Sequence, residues 1–227
     1  MYVTFSTEYH RFNSIGSAVP AVVPSKSGPV RTIRSGAYLY REGDEVMHVY
    51  EVIEGVLRLT RLLEDGRRQV IAFGYPGDIV GFPSNGRHHT DCDALTEAKV
   101  RPYCSSALED GTNNPHLQRA LLEAAFQEIS AMQDHFMMLG RKSASEKLAS
   151  FLLTLCERAG NGLDCDDRIT LPMSRADIAD FLGLTTETIS RTFGQLRKAG
   201  ILRVEHIYTV VILRPDALRT TAKGDDA

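Results

Sequence analysis

The fold class read from this sequence is α+β: a small antiparallel barrel toward the N-terminus, one long helix, and a winged helix-turn-helix toward the C-terminus. Three observations predict it. Between Val30 and about Ala107, short alternating apolar segments are punctuated by glycine turns. From Asn114 to Leu139 apolar residues recur at helical spacing, with no proline after Pro115 and no glycine before Gly140. Ser174 to Gly200 carries two short apolar stripes on either side of one glycine. With 227 residues, 43% of them hydrophobic, the chain can build two modest cores.

Taken in order, residues 1–28 mix Ser, Pro, Ala and isolated aromatics without period and read as a mobile or loosely docked arm. Strands are expected at Ala37–Tyr40, Val49–Val52, Val56–Leu63, Gln69–Phe73 and Ala98–Tyr103, separated by REGDE, EGV, EDGR and YPGD, which sets a barrel domain at 29–112. Over 113–140, Leu117, Leu121, Ala125, Ile129, Met132, Phe136 and Leu139 fall three or four apart, one narrow seam suited to pairing with a second copy. The pattern leaves open an amphipathic helix packed on its own barrel. A second helix over Lys142 to Arg158 then leads, through the polar loop NGLDCDDR, into a DNA-binding domain spanning 141–227. ILRV and YTVVIL, flanking a turn at Glu205 and His206, are the expected wing.

The helix-turn-helix carries the sharpest chemistry. Ile178, Ala179 and Leu182 form one stripe, Gly183 permits the turn, and Ile189, Phe193 and Leu196 form the other. Ser174 with Asp177 is placed to cap the first helix, Thr185 to cap the second and Gly200 to end it. Glu187, Ser190 and Arg191 then share the opposite face of the second helix. A guanidinium matches the O6 and N7 acceptors of guanine, and a carboxylate accepts from the cytosine amine. These three are the candidate base-reading residues. Ser174, Thr185, Thr186, Thr188, Arg197 and Lys198 are the candidates for phosphate contacts, and Arg203 is basic as well. A helical hairpin with a surface Glu187–Arg191 pair is the blander reading.

TTETISR after a Gly-Leu turn, together with GRKSASEKLASFLL upstream, resembles the Crp/Fnr superfamily of bacterial transcription regulators, most closely its FixK-like and Fnr-like branch. LYREGDEVMHVYEVIEGVLRL and FGYPGDIVGF likewise resemble the β-roll of the cyclic-nucleotide-binding fold. The resemblance runs from about Pro29 to about Ala217. It implies that the long helix forms the coiled coil of a homodimer, and that the target is a palindrome in double-stranded DNA of the type TTGAT, four base pairs, ATCAA. It also implies that the turn Glu64, Asp65, Gly66, Arg67 and Arg68 touches RNA polymerase, and that the genes activated serve microaerobic respiration, denitrification or nitrogen fixation.

Charge agrees once divided. The chain carries −3 overall, yet residues 141–227 hold 13 Lys+Arg against 12 Asp+Glu while the remainder holds 13 against 17. From Glu187 to Arg203 four basic residues face one acidic. No resident cofactor is expected. The Gly-Glu and Arg-Ser pairs with which related β-rolls cradle a cyclic phosphate have no counterpart in IVGFPSNGRHHTDCDAL, where Arg87 is followed by His88. The arm has no cysteine, and Cys92, Cys104, Cys156 and Cys165 show no C-x-x-C, so neither an iron–sulfur cluster nor a zinc site is expected. Cys156 reads as core, and His88-His89 as part of a polar loop. Haem held by His48, His88 or His89, thiol control through Cys165, and pure repression remain the alternatives. No catalytic constellation points to an enzyme. No apolar run is long enough to cross a membrane, so a cytoplasmic location is expected.

Overall fold

A computed structural model describes residues 28–108, 115–158 and 167–224. Nearly all of the expected arm, the end of the barrel domain at 112 and Cys165 lie outside the described residues. The chain divides into two compact units between Met132 and Gln133, inside the long helix expected as a segment of its own.

Among its described residues the first unit contains eight strands: β1 (Arg31–Ile33), β2 (Tyr38–Tyr40), β3 (His48–Glu54), β4 (Leu57–Leu62), β5 (Arg68–Gly74), β6 (Ile79–Val80), β7 (Asp91–Ala94) and β8 (Ala98–Cys104). They form two antiparallel four-stranded sheets, ordered β1-β8-β3-β6 and β2-β7-β4-β5. Alternation along each strand turns one set of side chains inward, so Tyr40, Tyr50, Val52, Leu57, Leu59, Val80, Cys92 and Val100 share a core. The five expected strands are present; β1, β6 and β7 are additions. Two ion pairs are built into the roll. The Arg58 guanidinium grips Asp93 with Nε at 3.1 Å and Nη2 at 2.8 Å, and buried Glu51 accepts from Arg101 at 2.9 Å and from the Tyr103 hydroxyl at 2.8 Å.

A 3-10 turn (Ser105–Leu108) follows β8, and the next described element is the helix α1 (Pro115–Arg141). Its first turns correct the expected seam. Leu117 and Leu121 are buried with Val49, Ile79, Tyr103 and Ala107 of their own roll, and Ala125 is half-buried. Those positions satisfy the helical period by packing within the protomer, which periodicity cannot distinguish from packing against a second copy. The exposed apolar residues instead run Leu122, Phe126, Ile129, Met132 and Phe136, with Met137 beside them. Of the expected set, Ile129, Met132 and Phe136 lie on this exposed face, whereas Leu139 is half-buried near Gly183.

The second unit takes the end of α1, then α2 (Ala144–Arg158), β9 (Asp167–Thr170), α3 (Arg175–Leu182), α4 (Thr186–Lys198), β10 (Leu202–His206), β11 (Thr209–Ile212) and α5 (Pro215–Lys223). The core face of α2 includes Leu148, Phe151, Leu152, Leu155 and Cys156, the last buried as expected. Lys142 Nζ donates to Ser150 Oγ at 2.7 Å and to the Ala222 carbonyl at 2.9 Å, tying the start of α2 to the end of α5. The wing is a three-stranded sheet ordered β10-β11-β9. Its turn lies at Ile207–Tyr208, two residues beyond the expected Glu205–His206, because a register shift between Val204 and His206 lets β10 run on through those residues.

Candidate nucleic-acid interface

Local chemistry fixes the angle between α3 and α4. The Ser174 hydroxyl accepts from the Asp177 amide at 3.1 Å and donates to its carboxylate at 2.7 Å, while the Ser174 amide donates to the same carboxylate at 3.0 Å. This capping box pins the first turn of α3. Gly183 ends the helix with φ 61° and ψ 41°, a left-handed conformation that a residue with a Cβ adopts only at a cost. Thr185 then starts α4 by accepting from the Thr188 amide at 3.1 Å, the two hydroxyls lying 2.8 Å apart. Gly200, φ 68°, follows its last turn.

The helix α4 buries Ile189, Thr192, Phe193 and Leu196, which leaves Glu187, Ser190 and Arg191 exposed together. Arg191 Nη2 lies 3.7 Å from Glu187 Oε1, a loose surface pair worth a few tenths of a kcal/mol. Such a pair holds both tips over the same face without locking them. The Ser190 hydroxyl donates to the Thr186 carbonyl at 2.9 Å, so its proton is spent within the helix and its oxygen keeps only acceptor capacity for a ligand. Ser174, Thr185 and Thr188 spend their hydroxyls on caps, whereas Thr186, Arg197 and Lys198 are exposed. Arg203 is engaged in the wing, where Glu205 accepts from Arg168 at 2.8 Å and from Arg203 at 3.1 Å. The hydrogen bond from Arg168, then that from Arg203, holds the Glu205 carboxyl below the usual carboxylate range.

One residue of this unit was not singled out in the sequence. The Arg175 guanidinium, at the first position of α3, lies 3.4 Å over the Phe193 ring of α4, and its Nη1 is buried without a hydrogen-bond partner. Burial lowers its pKa to about 10. A cation on an aromatic face joins the two helices directly. The signal was there, Arg directly after a cap and an aromatic in the next helix, but only the turn geometry brings them together.

In the first unit, Glu64 to Arg67 form the exposed tip between β4 and β5, and Arg68, half-buried, is the first residue of β5. Asp65 accepts there from the Arg67 amide at 3.0 Å and from its guanidinium at 2.7 Å. Both bonds, the amide first, lower the Asp65 pKa. Of the three candidate haem histidines, His48 is half-buried and His89 exposed. His88 corrects the polar-loop expectation: it is 5% exposed and stacks on Tyr40 with centroids 3.6 Å apart and planes 7° from parallel. The loop looks polar because Asn85, Gly86, Arg87 and His89 face water while His88 alone turns inward. Among the described residues no three His, Cys, Asp or Glu side chains gather as metal ligands would, and no helix is long and apolar enough to cross a membrane.

Comparison with known proteins agrees with this architecture. The Crp-like helix-turn-helix domain family matches residues 146–221, and the cyclic nucleotide-binding domain family matches residues 30–104. The nitrogen fixation regulation protein FixK of Bradyrhizobium diazoefficiens is 43% identical over 173 residues, covering 76% of this chain and 73% of that protein. FixK of Rhizobium meliloti is 39% identical over 196 residues, covering 86% and 88%. The structure of FixK2 from Bradyrhizobium japonicum superposes with a TM-score of 0.77 at 36% identity, covering 88% of this chain and 98% of that one. The roll's own residues do not fit a cyclic nucleotide. Arg87, the one basic side chain near the expected phosphate loop, donates to the Gly43 carbonyl at 2.7 Å. The pocket beside it, lined by Tyr40, Gly81, His88, Thr90, Glu128 and Met132 among others, keeps a cavity of about 10 Å³, room for at most one water.

Proposed function

This chain is a FixK-like member of the Crp/Fnr family of transcription regulators, not an enzyme, and from that premise we propose that it works as a homodimer that activates genes from a TTGAT-N4-ATCAA-type palindrome. The observation that carries the reading is the exposed face of α4, where Glu187, Ser190 and Arg191 stand clear of the apolar stripe at the start of a helix whose angle is set by two caps and a glycine turn. Arg191 holds a guanine by two hydrogen bonds and Glu187 accepts from a cytosine amine. Thr186, Arg197 and Lys198 touch phosphates, while Ser174, Thr185 and Thr188 set the helix ends that place them.

A two-fold dimer matches a palindrome, its two recognition helices held in fixed register to read half-sites about 34 Å apart. Its interface is the exposed stripe Phe126, Ile129, Met132 and Phe136, with Leu122 at its N-terminal end. Phe126 and Phe136 are 67% and 76% exposed in the single chain, a large apolar area for one helix to leave in water. The hairpin tip Glu64–Arg68 supplies the polymerase contact. The FixK relatives are nitrogen fixation regulation proteins, and we assign the genes controlled by this chain to the same process. The test is a footprint on a palindrome-bearing promoter followed by transcription with purified RNA polymerase. More transcript supports activation; a footprint with less transcript makes the protein a repressor, and no footprint removes the reading.

A further inference from the structure

The roll belongs to a cyclic nucleotide-binding family, yet the pocket between its strands and α1 keeps a cavity of only about 10 Å³. Among the side chains that line and narrow it is His88. The imidazole of His88 lies flat on Tyr40 at 3.6 Å, the packing a planar ligand makes with an aromatic wall, and its Nδ1 is buried with no hydrogen-bond partner. Gly81 makes room for the stack: a Cβ there would come within 3.2 Å of both His88 and Tyr40. Burial lowers the His88 pKa, outweighing the opposing pull of Asp44, so at neutral pH the ring is an uncharged plate. The far wall of the same pocket is α1, through Glu128 and Met132, and Met132 belongs to the exposed stripe.

We propose that His88 is a built-in occupant of the roll's ligand pocket, standing where a planar effector would stand and backing α1 at Glu128 and Met132, so that the protein is held ready for DNA with nothing bound. This rests on the DNA-binding reading above. A pocket filled from within presents the helix with the contacts of the occupied state permanently, and no external ligand is then needed to shift the population. His88 is thus a positioning residue, acting on DNA through the helix it supports.

The experiment removes the occupant and gives it back. In the full chain, His88→Ala empties a partly apolar pocket, and cavities of that kind take up small planar guests. DNA affinity, read by fluorescence anisotropy on a palindromic duplex, should fall by about tenfold or more in a variant that circular dichroism shows to be folded. Roughly 10 mM imidazole should restore it, while pyrrolidine, a non-planar ring of the same size, should not. His88→Leu, close in volume but not planar, should fold and still bind DNA weakly, and His88→Phe should bind as the parent does. If folded His88→Ala or His88→Leu binds DNA as well as the parent, or if imidazole raises the melting temperature without moving DNA affinity, the ring is core packing only and the proposal falls. Failure of the parent itself to bind the palindrome would instead overturn the functional reading beneath it.

Discussion

The two units handle polar chemistry in opposite ways. The roll turns its charged and aromatic groups on one another, pairing Arg58 with Asp93, Glu51 with Arg101 and Tyr103, and Tyr40 with His88. The helix-turn-helix leaves Glu187, Arg191, Arg197 and Lys198 in water, with a loose 3.7 Å contact between the first two. A buried pair is satisfied within the protein and has little left to offer a ligand; an exposed group on a rigid helix has its donors and acceptors still to spend. The domain whose family name advertises a ligand is therefore the closed one, and the reading face is the open one.

Breaking the closed side should cost most. Arg58→Ala leaves Asp93 buried without its bidentate partner, and urea unfolding should report a loss of about 3 kcal/mol, whereas removing an exposed charge such as Lys198 should barely move the midpoint. Next is the exposed stripe of α1. Ile129→Glu with Phe136→Glu should convert the proposed dimer to monomers in sedimentation and weaken DNA binding by about a hundredfold, since each half-site is then bound alone. A variant that still sediments as a dimer would move the interface elsewhere.

Acid sharpens the contrast within the second unit. His135 lies 4.3 Å from the Phe181 ring, and burial lowers its pKa from 6.5 to about 4. Between those values the unfolded chain holds the proton and the folded one does not. Stability should therefore fall as pH drops through this window, by about 3 kcal/mol, with no further loss from this group below it. Denaturation series at several pH values should show a shallower slope for His135→Leu. The smallest effect belongs to Ser174, whose hydroxyl is committed to the cap of α3: Ser174→Ala should cost about 1 kcal/mol in denaturant while leaving sequence preference on DNA intact.

What was legible in the sequence follows how local its cause is. The caps at Ser174 and Thr185, the turn at Gly183 and the stop at Gly200 each depend on residues within a few positions, and each is where it was expected. The helix α5 carries equally local signals, Pro215 at its start and Gly224 at its end, but its 9 residues are too few for a helical period to stand out. Strands β1, β6 and β7 were missed for a different reason. They span two to four residues, too short for alternation to show, and exist because a neighbouring strand pairs with them. The seam of α1 was half legible: the helical period marks which residues are buried somewhere, and only the fold sends Leu117 and Leu121 into the roll while leaving Ile129 and Phe136 outside. The same limit hid His88 and Arg175, whose partners lie far along the chain at Tyr40 and Phe193.

The central claim is that the open face of α4 reads sequence, and competition over randomised half-sites tests it most directly. The parent should select the TTGAT half-site. Arg191→Ala should lose about 1–3 kcal/mol per half-site and relax the preference at one guanine. Glu187→Ala should bind unrelated DNA more tightly, having shed a negative charge facing phosphates, yet discriminate less at one base pair. If both variants keep the parent's preference unchanged, the face formed by Glu187, Ser190 and Arg191 is not the one that reads DNA.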